Sequence, residues 1–184
     1  MEPKTPELVF SSREYTIEQP IAESIVIDTF NIKDRNGNLL ASAKEKMSWE
    51  LQFQIETPDG TRLGEMRKKA LTLPLTFEIY DTQGLVAVVK RKIFSLDWWL
   101  EDVSGAEIAR INGDITGHNF TIQSPYKTEI AQVHKKWTSI RNSYNIEMLS
   151  EDLTPYIVIA YAVTMDYVMF KATKTILGLL RLLF

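Results

Sequence analysis

The stretch TPYIVIAYAVTMDYVMF, at residues 154–170, is an almost unbroken apolar run near the end of the chain. Thr154 suits the N-cap of a helix and Pro155 suits its first turn, so the run predicts a helix over about 154–170. Its roughly 15 apolar residues are fewer than the about 20 that cross a bilayer, and the carboxylate of Asp166 would be costly in lipid. A helix that is apolar on all sides must therefore be enclosed by the rest of the protein.

The segments upstream of this run alternate between apolar and polar residues, which predicts half-buried β-strands. The apolar positions of the clearest segments are Trp49, Leu51, Phe53 and Ile55; Leu71, Leu73, Leu75, Phe77 and Ile79; Phe94, Leu96, Trp98 and Leu100; Phe120 and Ile122; and Tyr144, Ile146 and Met148. Pro74 interrupts the second of these segments and predicts a sheet edge or a bulge there. We count about twelve strands, each with a single apolar face.

Turns separate the strands at a regular interval. Four of them end in glycine: DRNG at 34–37, TPDG at 57–60, DTQG at 81–84 and DVSG at 102–105; a fifth, SPYK at 124–127, follows about one interval later. Aspartate, asparagine and proline favour the start of a turn, and glycine tolerates positive φ at its end. Strand, turn and strand at this spacing predict successive antiparallel hairpins. The segment after each turn carries one small residue, namely Ala41, Gly64, Ala87, Ala109 or Ala131.

The sheet and the helix each lack what the other supplies. The strands need something to bury their apolar faces, and the helix needs a cover. The sequence therefore predicts a mostly β (α+β) fold, in which a closed or nearly closed antiparallel β-barrel of about twelve strands encloses a central hydrophobic C-terminal helix. We expect residues 1–9 to be an N-terminal extension, residues 10–170 to form the barrel and its helix, and residues 171–184 to form an amphipathic tail.

The C-terminal third carries a recognisable order of motifs. An F-x-I-x-S strand at 120–124 and a turn precede EIAQVHKKW, then a Y-x-I-E strand, and last the apolar helix with Asp166 near its end. This pattern resembles the C-terminal half of the LURP-one-related proteins and of the phospholipid scramblases, and the resemblance extends over about residues 10–170. These families are grouped with the Tubby C-terminal domain, so the resemblance implies a twelve-stranded barrel threaded by a hydrophobic helix.

The resemblance also implies contact with phospholipids or phosphoinositides, calcium-dependent lipid scrambling, or no established activity. Scramblases carry an acidic calcium-binding stretch before the last helix, but here Asn142 and Ser143 stand where scramblases tend to place aspartates. The remaining acids, Glu147, Glu151 and Asp152, lack the alternating spacing of a calcium loop. We therefore do not expect calcium dependence, and the cysteine-rich palmitoylation region of scramblases is absent because the chain has no cysteine.

Composition excludes several kinds of chemistry. The net charge of −3 implies no bulk attraction to nucleic acid, so we expect no nucleic-acid partner. Without cysteine there is no disulfide, thiolate metal site or cysteine nucleophile. The two histidines, His118 and His134, show no metal spacing and no paired nucleophile, so we expect no metal, no cofactor and no catalytic residue. The polar first residues, MEPKTPELVF, do not resemble a secretory signal, which favours a cytoplasmic location.

Basic residues recur about seven to nine positions past each turn, which places them roughly 20–30 Å away, at the opposite end of the barrel. The clusters are Arg67, Lys68 and Lys69; Lys90, Arg91 and Lys92; and His134, Lys135 and Lys136, with Lys44 and Lys46 as a weaker fourth. They could form a rim that meets phosphates of an anionic lipid or a nucleotide. They could equally be solvated strand ends that keep the barrel soluble.

Asp166 and the tail complete the candidate residues. Asp166 is either a functional carboxylate in a cavity or, as we favour, a buried acid neutralised by groups of the barrel. The tail KATKTILGLLRLLF forms a short, apolar and basic helix of the kind that lies in a bilayer interface. It could also fold back on the barrel, dimerise with its copy or extend the central helix, although Lys171 and Lys174 argue against a span. The contact residues would be Leu177, Leu180, Arg181 and Phe184.

These observations together predict a non-enzymatic barrel. Its expected ligand is an anionic phospholipid or a membrane surface, with the basic rim meeting headgroups and the tail as an anchor. The alternative is a protein–protein interaction or homo-oligomerisation module that uses residues 171–184. An enzyme is the weakest hypothesis, because it needs a cleft with converging polar groups that spacing alone does not reveal.

Overall fold

The computed structural model describes residues 4–20, 28–46, 51–92, 97–114, 119–137 and 142–168. Within these ranges, a short helix, α1 (Pro6–Val9), is followed by twelve strands and by helix α2 at 155–168. The strands are β1 (Glu14–Glu18), β2 (Thr29–Asp34), β3 (Leu39–Lys46), β4 (Gln52–Glu56), β5 (Arg62–Lys68), β6 (Leu75–Asp81), β7 (Leu85–Arg91), β8 (Trp98–Glu101), β9 (Glu107–Asp114), β10 (Asn119–Gln123), β11 (Glu129–Trp137) and β12 (Asn142–Met148).

The strands form a closed barrel in which each strand pairs antiparallel with its neighbours in sequence. Closure comes from β1, which pairs with β2 on one side and with β12 on the other. A closed barrel has no free edge, so the backbone groups of the first and last strands are satisfied within the sheet. The predicted antiparallel barrel of twelve strands is confirmed.

Five hairpins of the barrel repeat the same local design: β2–β3, β4–β5, β6–β7, β8–β9 and β10–β11. In each one a branched aliphatic residue faces a small residue across the ladder, and the register shifts immediately beyond it. The pairs are Ile32 with Ala41, Ile55 with Gly64, Ile79 with Ala87, Leu100 with Ala109, and Ile122 with Ala131. Such bulges bend strands and increase their twist, which helps a sheet to close.

A layer of aromatic residues lies next to these pairs, farther from the turns. Each even-numbered strand contributes one aromatic residue two positions before its aliphatic residue: Phe30, Phe53, Phe77, Trp98, Phe120 and Tyr144. All six are buried. The motif aromatic-x-aliphatic therefore recurs on β2, β4, β6, β8, β10 and β12, and it sets two successive layers of the barrel interior.

Helix α2 fills the barrel. Tyr156 donates a hydrogen bond from Oη to the carbonyl of Tyr80, at 2.6 Å, near the start of the helix. Farther along, the ring of Tyr161 lies 6.5 Å from that of Trp98, and the ring of Tyr167 lies 5.0 Å from that of Phe53. Every residue from 158 to 167 is buried, so the predicted central helix is confirmed.

None of the helices in the described ranges has the length and apolar character needed to cross a bilayer.

The two ends of the barrel differ in their chemistry. The turn end carries the five predicted turns, each closed by a backbone hydrogen bond such as that from Asp34 N to Asn38 O, and α2 begins there. The odd-numbered strands from β3 to β11 run away from these turns and finish at the other end, which we call the basic end. The last described residues of α2 reach the basic end, because Tyr167 hydrogen-bonds Glu45 near the end of β3.

The segment around Pro74 departs from the prediction. Leu71 and Leu73 were expected on the apolar face of a strand, and Pro74 at an edge or bulge. Instead, β5 ends at Lys68, β6 begins at Leu75, and a connecting loop at 69–74 exposes both leucines. The reason is local: proline has no N–H for the ladder, and the backbone N–H of Lys69 already closes the loop onto Thr76 O. The predicted positions Trp49, Phe94 and Leu96 lie outside the described residues.

Candidate functional site

The basic end gathers residues that the sequence spaces far apart. Three of the predicted clusters lie at the ends of β5, β7 and β11, with Lys69 and Lys92 one residue beyond their strands, and Lys46 ends β3. Antiparallel pairing around the closed barrel brings all four strand ends to the same rim. The predicted rim residues that the structure places there are Arg67, Lys68, Lys69, Lys90, Arg91, Lys92 and Lys135; Lys136 lies in β11, but its side chain is outside the described part.

Several rim cations pair with acids on the neighbouring strand. The Nζ of Lys90 lies 2.6 Å from Oε2 of Glu101, and that of Lys69 lies 3.1 Å from Oε1 of Glu78. Lys92 pairs with Asp97 at 3.4 Å. The Lys92–Asp97 pair is exposed on both sides and contributes about 0–1 kcal/mol. Glu78 and Glu101 are only 20% and 15% exposed, so their pairs with Lys69 and Lys90 are better shielded from solvent.

Arg67 is held more firmly than these lysines. It forms an ion pair with Glu65, which is almost fully buried on the outer face of β5, and its guanidinium lies 4.9 Å from the centre of the Tyr80 ring. Arg62 also pairs with Glu65, at 2.6 Å. Because a buried carboxylate needs its partners, Arg67 has a structural role in the free protein.

Lys46 and Lys68 differ from the other cations of the rim. Both side chains are exposed, and neither forms an ion pair or a hydrogen bond through its side chain within the described residues. Within the described part of the chain, no acid therefore competes with an external anion for these two ammonium groups. They are also the last residues of two strands separated only by β4, so they lie on the same side of the rim.

Inward-facing polar groups close the lumen at this end. Lys135 reaches Asp166 of α2, with 3.5 Å between Nζ and Oδ1, and its Nζ lies 5.0 Å from the centre of the Tyr144 ring. The hydroxyl of Tyr144 donates a hydrogen bond to the same Oδ1 atom. Asp166 is buried, and within the described residues its Oδ2 atom has no hydrogen-bond partner. The barrel groups thus compensate one of its two carboxylate oxygens, and the structural role of Asp166 stays a prediction.

Burial raises the pKa of Asp166 above its ordinary value of 3.8, even though Tyr144 and Lys135 act in the opposite direction. A carboxyl group with a raised folded-state pKa is most favourable to folding when it is protonated. The stability that Asp166 contributes is fully present below the pKa of its carboxyl group in the unfolded chain, about 4. This stability is lost as the pH rises through the higher pKa of the folded state. Protonation of Asp166 therefore favours the folded state, and the stability that this group contributes decreases as the pH rises.

The variant Asp166→Asn should separate the effect of titrating this carboxyl group from the effect of packing at the same position. The amide has the same shape, still accepts the hydrogen bond of Tyr144 and does not titrate. Lys135 is 18% exposed and can reach water, so we expect a change of about 1 kcal/mol or less at pH 7. Urea denaturation between about pH 4 and pH 8 should show the variant gaining stability relative to the natural chain as the pH rises. A stability difference that is independent of pH would contradict this assignment.

Asp102, at the turn end, provides a control whose stability should change with pH in the opposite direction. The hydroxyl of Ser104 donates a hydrogen bond to Asp102 and lowers the pKa of that carboxyl group. Its contribution to stability is present at neutral pH and is lost as the pH falls through the lowered pKa. Asp102→Asn should therefore lose stability relative to the natural chain as the pH rises toward neutrality.

The histidines and the acids near α2 were the other candidate site residues. Among the described residues, no group of three or more histidines and acids is placed to hold a metal ion. His134 is exposed and hydrogen-bonds the side chain of Asn119 at 2.8 Å. Glu147 lies on β12, whereas Glu151 and Asp152 lie in the bend before α2. His118 and the tail residues Leu177, Leu180, Arg181 and Phe184 lie outside the described residues.

A cleft of about 310 Å³ opens at the turn end, beside the start of α2. Phe10, Arg13, Leu149 and Leu153 line it together with several serines. The hydroxyl of Ser12 is already bonded to the backbone of Glu14, and that of Ser150 to the N–H of Asp152. These two hydroxyl groups are therefore already engaged, whereas the charged residues Arg13 and Glu151 also line the cleft.

Comparison with known proteins identifies the family. The sequence model of the LURP-one-related family matches residues 13–166, and the chain belongs to this family. Among solved structures, the fold resembles that of an Arabidopsis thaliana protein determined by X-ray crystallography. The TM-score is 0.59 at 18% identity, over 85% of this chain and 93% of the Arabidopsis chain. A search of curated proteins returns no significant match.

Proposed function

We propose that this LURP-one-related barrel binds anionic phospholipid at a membrane surface through its basic end, without catalysing a reaction. The observation that carries the proposal is a pair of exposed cations at one end of the barrel, Lys46 and Lys68, which have no ion-pair partner in the part of the chain that the structure describes. Lys69, Lys90 and Lys92 lie on the same rim, and each forms an ion pair with an acid. A basic residue near an anionic leaflet contributes about 1 kcal/mol of attraction, so a few of them suffice for reversible binding.

The interior of the barrel restricts where a lipid can bind. Helix α2 occupies the lumen, and its buried side chains contact strands on opposite sides of it, as Tyr156 contacts β6 and Asp166 contacts β11. An acyl chain therefore has no space inside. The proposed contact is with headgroups at the outer rim, which is the geometry of a peripheral membrane protein on the cytoplasmic side.

The tail enters the proposal as a second anchor. Residues Leu177, Leu180, Arg181 and Phe184 belong to an apolar and basic segment that would follow α2 beyond the described residues. The last described residues of α2 lie at the basic end, and the tail follows them in sequence. A weak electrostatic contact and a short apolar segment together give firmer binding than either alone.

The test is sedimentation of the full chain with vesicles. We expect it to bind vesicles of phosphatidylserine and phosphatidylcholine, but not vesicles of phosphatidylcholine alone, and to dissociate as salt is added. The variant Lys46→Ala/Lys68→Ala should bind roughly 30-fold more weakly, from about 1 kcal/mol for each charge. Arg13→Ala/Lys127→Ala is the matched control, because it removes two exposed cations at the turn end and should bind like the natural chain.

Two results would contradict the proposal. One is absence of binding by the full chain to the anionic vesicles at low salt. The other is equal weakening by the basic-end variant and by its turn-end control, since that would show a general charge effect. Light scattering of the full chain and of a chain ending at Phe170 tests the alternative, in which residues 171–184 mediate homo-oligomerisation. A dimer that becomes a monomer on truncation, without vesicle binding, would favour that alternative.

A further inference from the structure

The loop at 69–74 presents two large apolar side chains to solvent. Leu71 is fully exposed, at 105% of the reference area, and Leu73 is 81% exposed. These are the two largest exposed fractions of leucine side chains in the described part of the chain. The loop joins β5 to β6 at the basic end, so both leucines project from the same rim as Lys68.

This loop is held in its shape rather than being loosely connected. The N–H of Lys69 bonds to Thr76 O at 2.9 Å, and the hydroxyl of Thr72 donates to Lys69 O at 3.2 Å. Leu71 has φ 54°, in the left-handed region that costs most residues free energy. The fold thus keeps a leucine in an unfavourable backbone conformation while leaving its side chain without contacts, which does not help the protein to fold.

Charge next to the leucines indicates what they contact. Lys68 is exposed and has no ion-pair partner among the described residues, and Lys69 is exposed and pairs with Glu78 at 3.1 Å. Apolar tips flanked by cations match an anionic bilayer, whose headgroups attract the lysines while the acyl region accepts the leucines. Two leucines offer far less area than the about 1,200 Å² of a stable protein interface, whereas a bilayer needs no complementary surface.

We propose that the loop at 69–74 inserts into the membrane, with Leu71 and Leu73 entering the acyl boundary and Lys68 and Lys69 meeting phosphates. This inference rests on the proposed function and adds to it a specific apolar contact. Insertion also orients the barrel, because a loop at the rim brings the basic end toward the bilayer and leaves the turn end in solvent.

The first experiment compares two double variants of the full chain. Leu71→Ser/Leu73→Ser should lower partitioning onto phosphatidylserine–phosphatidylcholine vesicles by about tenfold or more, because apolar burial is lost. Leu39→Ser/Val103→Ser removes two exposed aliphatic residues at the turn end and should change partitioning less than about twofold. The remaining binding of the loop variant should still fall with salt, since its lysines are intact.

A second experiment reports insertion directly. The chain has no cysteine, so Leu71→Cys and Val103→Cys can each be labelled at a single site with a polarity-sensitive fluorophore. On adding the same vesicles, the label at 71 should shift to the blue and be quenched by lipids that carry a spin label on the acyl chain. The label at 103 should change neither its emission nor its quenching.

The outcomes separate the two proposals. If Lys46→Ala/Lys68→Ala weakens binding while Leu71→Ser/Leu73→Ser binds like the natural chain, headgroup binding stands and loop insertion is wrong. If the natural chain does not bind anionic vesicles, both are wrong. A natural chain that is dimeric by light scattering, with a monomeric loop variant and no vesicle-induced shift at 71, would assign the leucines to a protein contact and overturn the inference.

Discussion

Val158→Asp is expected to destroy the stable fold of this chain. Val158 lies in α2 with no solvent exposure, so the variant would place a carboxylate inside the filled barrel without a partner. Burying an uncompensated charge costs several kcal/mol, which is comparable with the about 5–15 kcal/mol that stabilises a typical domain. We expect a loss of about 4 kcal/mol or more, or no cooperative transition at all, in denaturation followed by tryptophan fluorescence.

The matched control is Val103→Asp, which makes the same chemical change in the exposed turn at 102–106. Val103 is 66% exposed, so the new carboxylate stays in water and the stability should change by less than about 0.5 kcal/mol. If Val158→Asp unfolded with the same midpoint as Val103→Asp, helix α2 could not be the core of the barrel. The comparison therefore tests the position of the helix and not merely the tolerance of the chain to charge.

Gly64→Ala is expected to have the second-largest effect. The other four hairpins carry alanine at the corresponding position, but at Gly64 an added Cβ would collide with the Tyr156 hydroxyl and the Tyr80 carbonyl. The Tyr80 carbonyl belongs to the backbone of β6 and cannot rotate away. The collision also disrupts the hydrogen bond between these two tyrosines, leaving a buried polar group unpaired. We expect a loss of about 3 kcal/mol or more, measured by urea denaturation.

A double-mutant cycle identifies the cause of this loss. Tyr156→Phe removes the hydroxyl that the new methyl group would meet, although the Tyr80 carbonyl remains. Gly64→Ala should therefore cost less in the Tyr156→Phe background than in the natural chain, with a coupling of about 1 kcal/mol or more. Additive effects would show that the helix does not approach β5 at this point.

The main architecture was predictable because the chain repeats its local signals. The apolar run at 154–170 predicted a helix that the rest of the protein must enclose. The alternating segments between regular turns predicted the sheet that encloses it. The structure adds a detail that the alternation did not reveal. The recurring aromatic-x-aliphatic motif, as in Phe53 with Ile55, builds two layers, and the small residues after the turns stand opposite the aliphatic ones. Those pairings depend on register, which becomes visible only when neighbouring strands are aligned.

The error at Leu71 and Leu73 has a clear physical origin. Alternation continues unbroken from Leu71 to Ile79, so the pattern alone extends the strand through the loop. Pro74 carried the contrary signal, because it cannot donate to a ladder, and the closed barrel offers no edge to accommodate it. Treating Pro74 as a break before the next strand would have predicted an exposed apolar loop between Lys69 and that strand.

The candidate site was predictable in its location but not in its electrostatics. The constant distance from each turn placed the clusters at one end of the barrel. The acids that neutralise them come from neighbouring strands, as Glu101 faces Lys90 and Glu78 faces Lys69. The pairing of each cation therefore depends on which residues face it from the neighbouring strand. The structural match at 18% identity does not add this information, because it establishes the fold alone.

Amide hydrogen exchange of the full chain in buffer without membranes tests the central claim most directly. If α2 is the core of the barrel, the amides of residues 158–167 should rank among the slowest in the chain and exchange only through global unfolding. Adding anionic vesicles should leave them unchanged while slowing exchange in the loop at 69–74. Exchange of the helix amides within seconds in vesicle-free buffer, with protection appearing only when vesicles are added, would contradict the account.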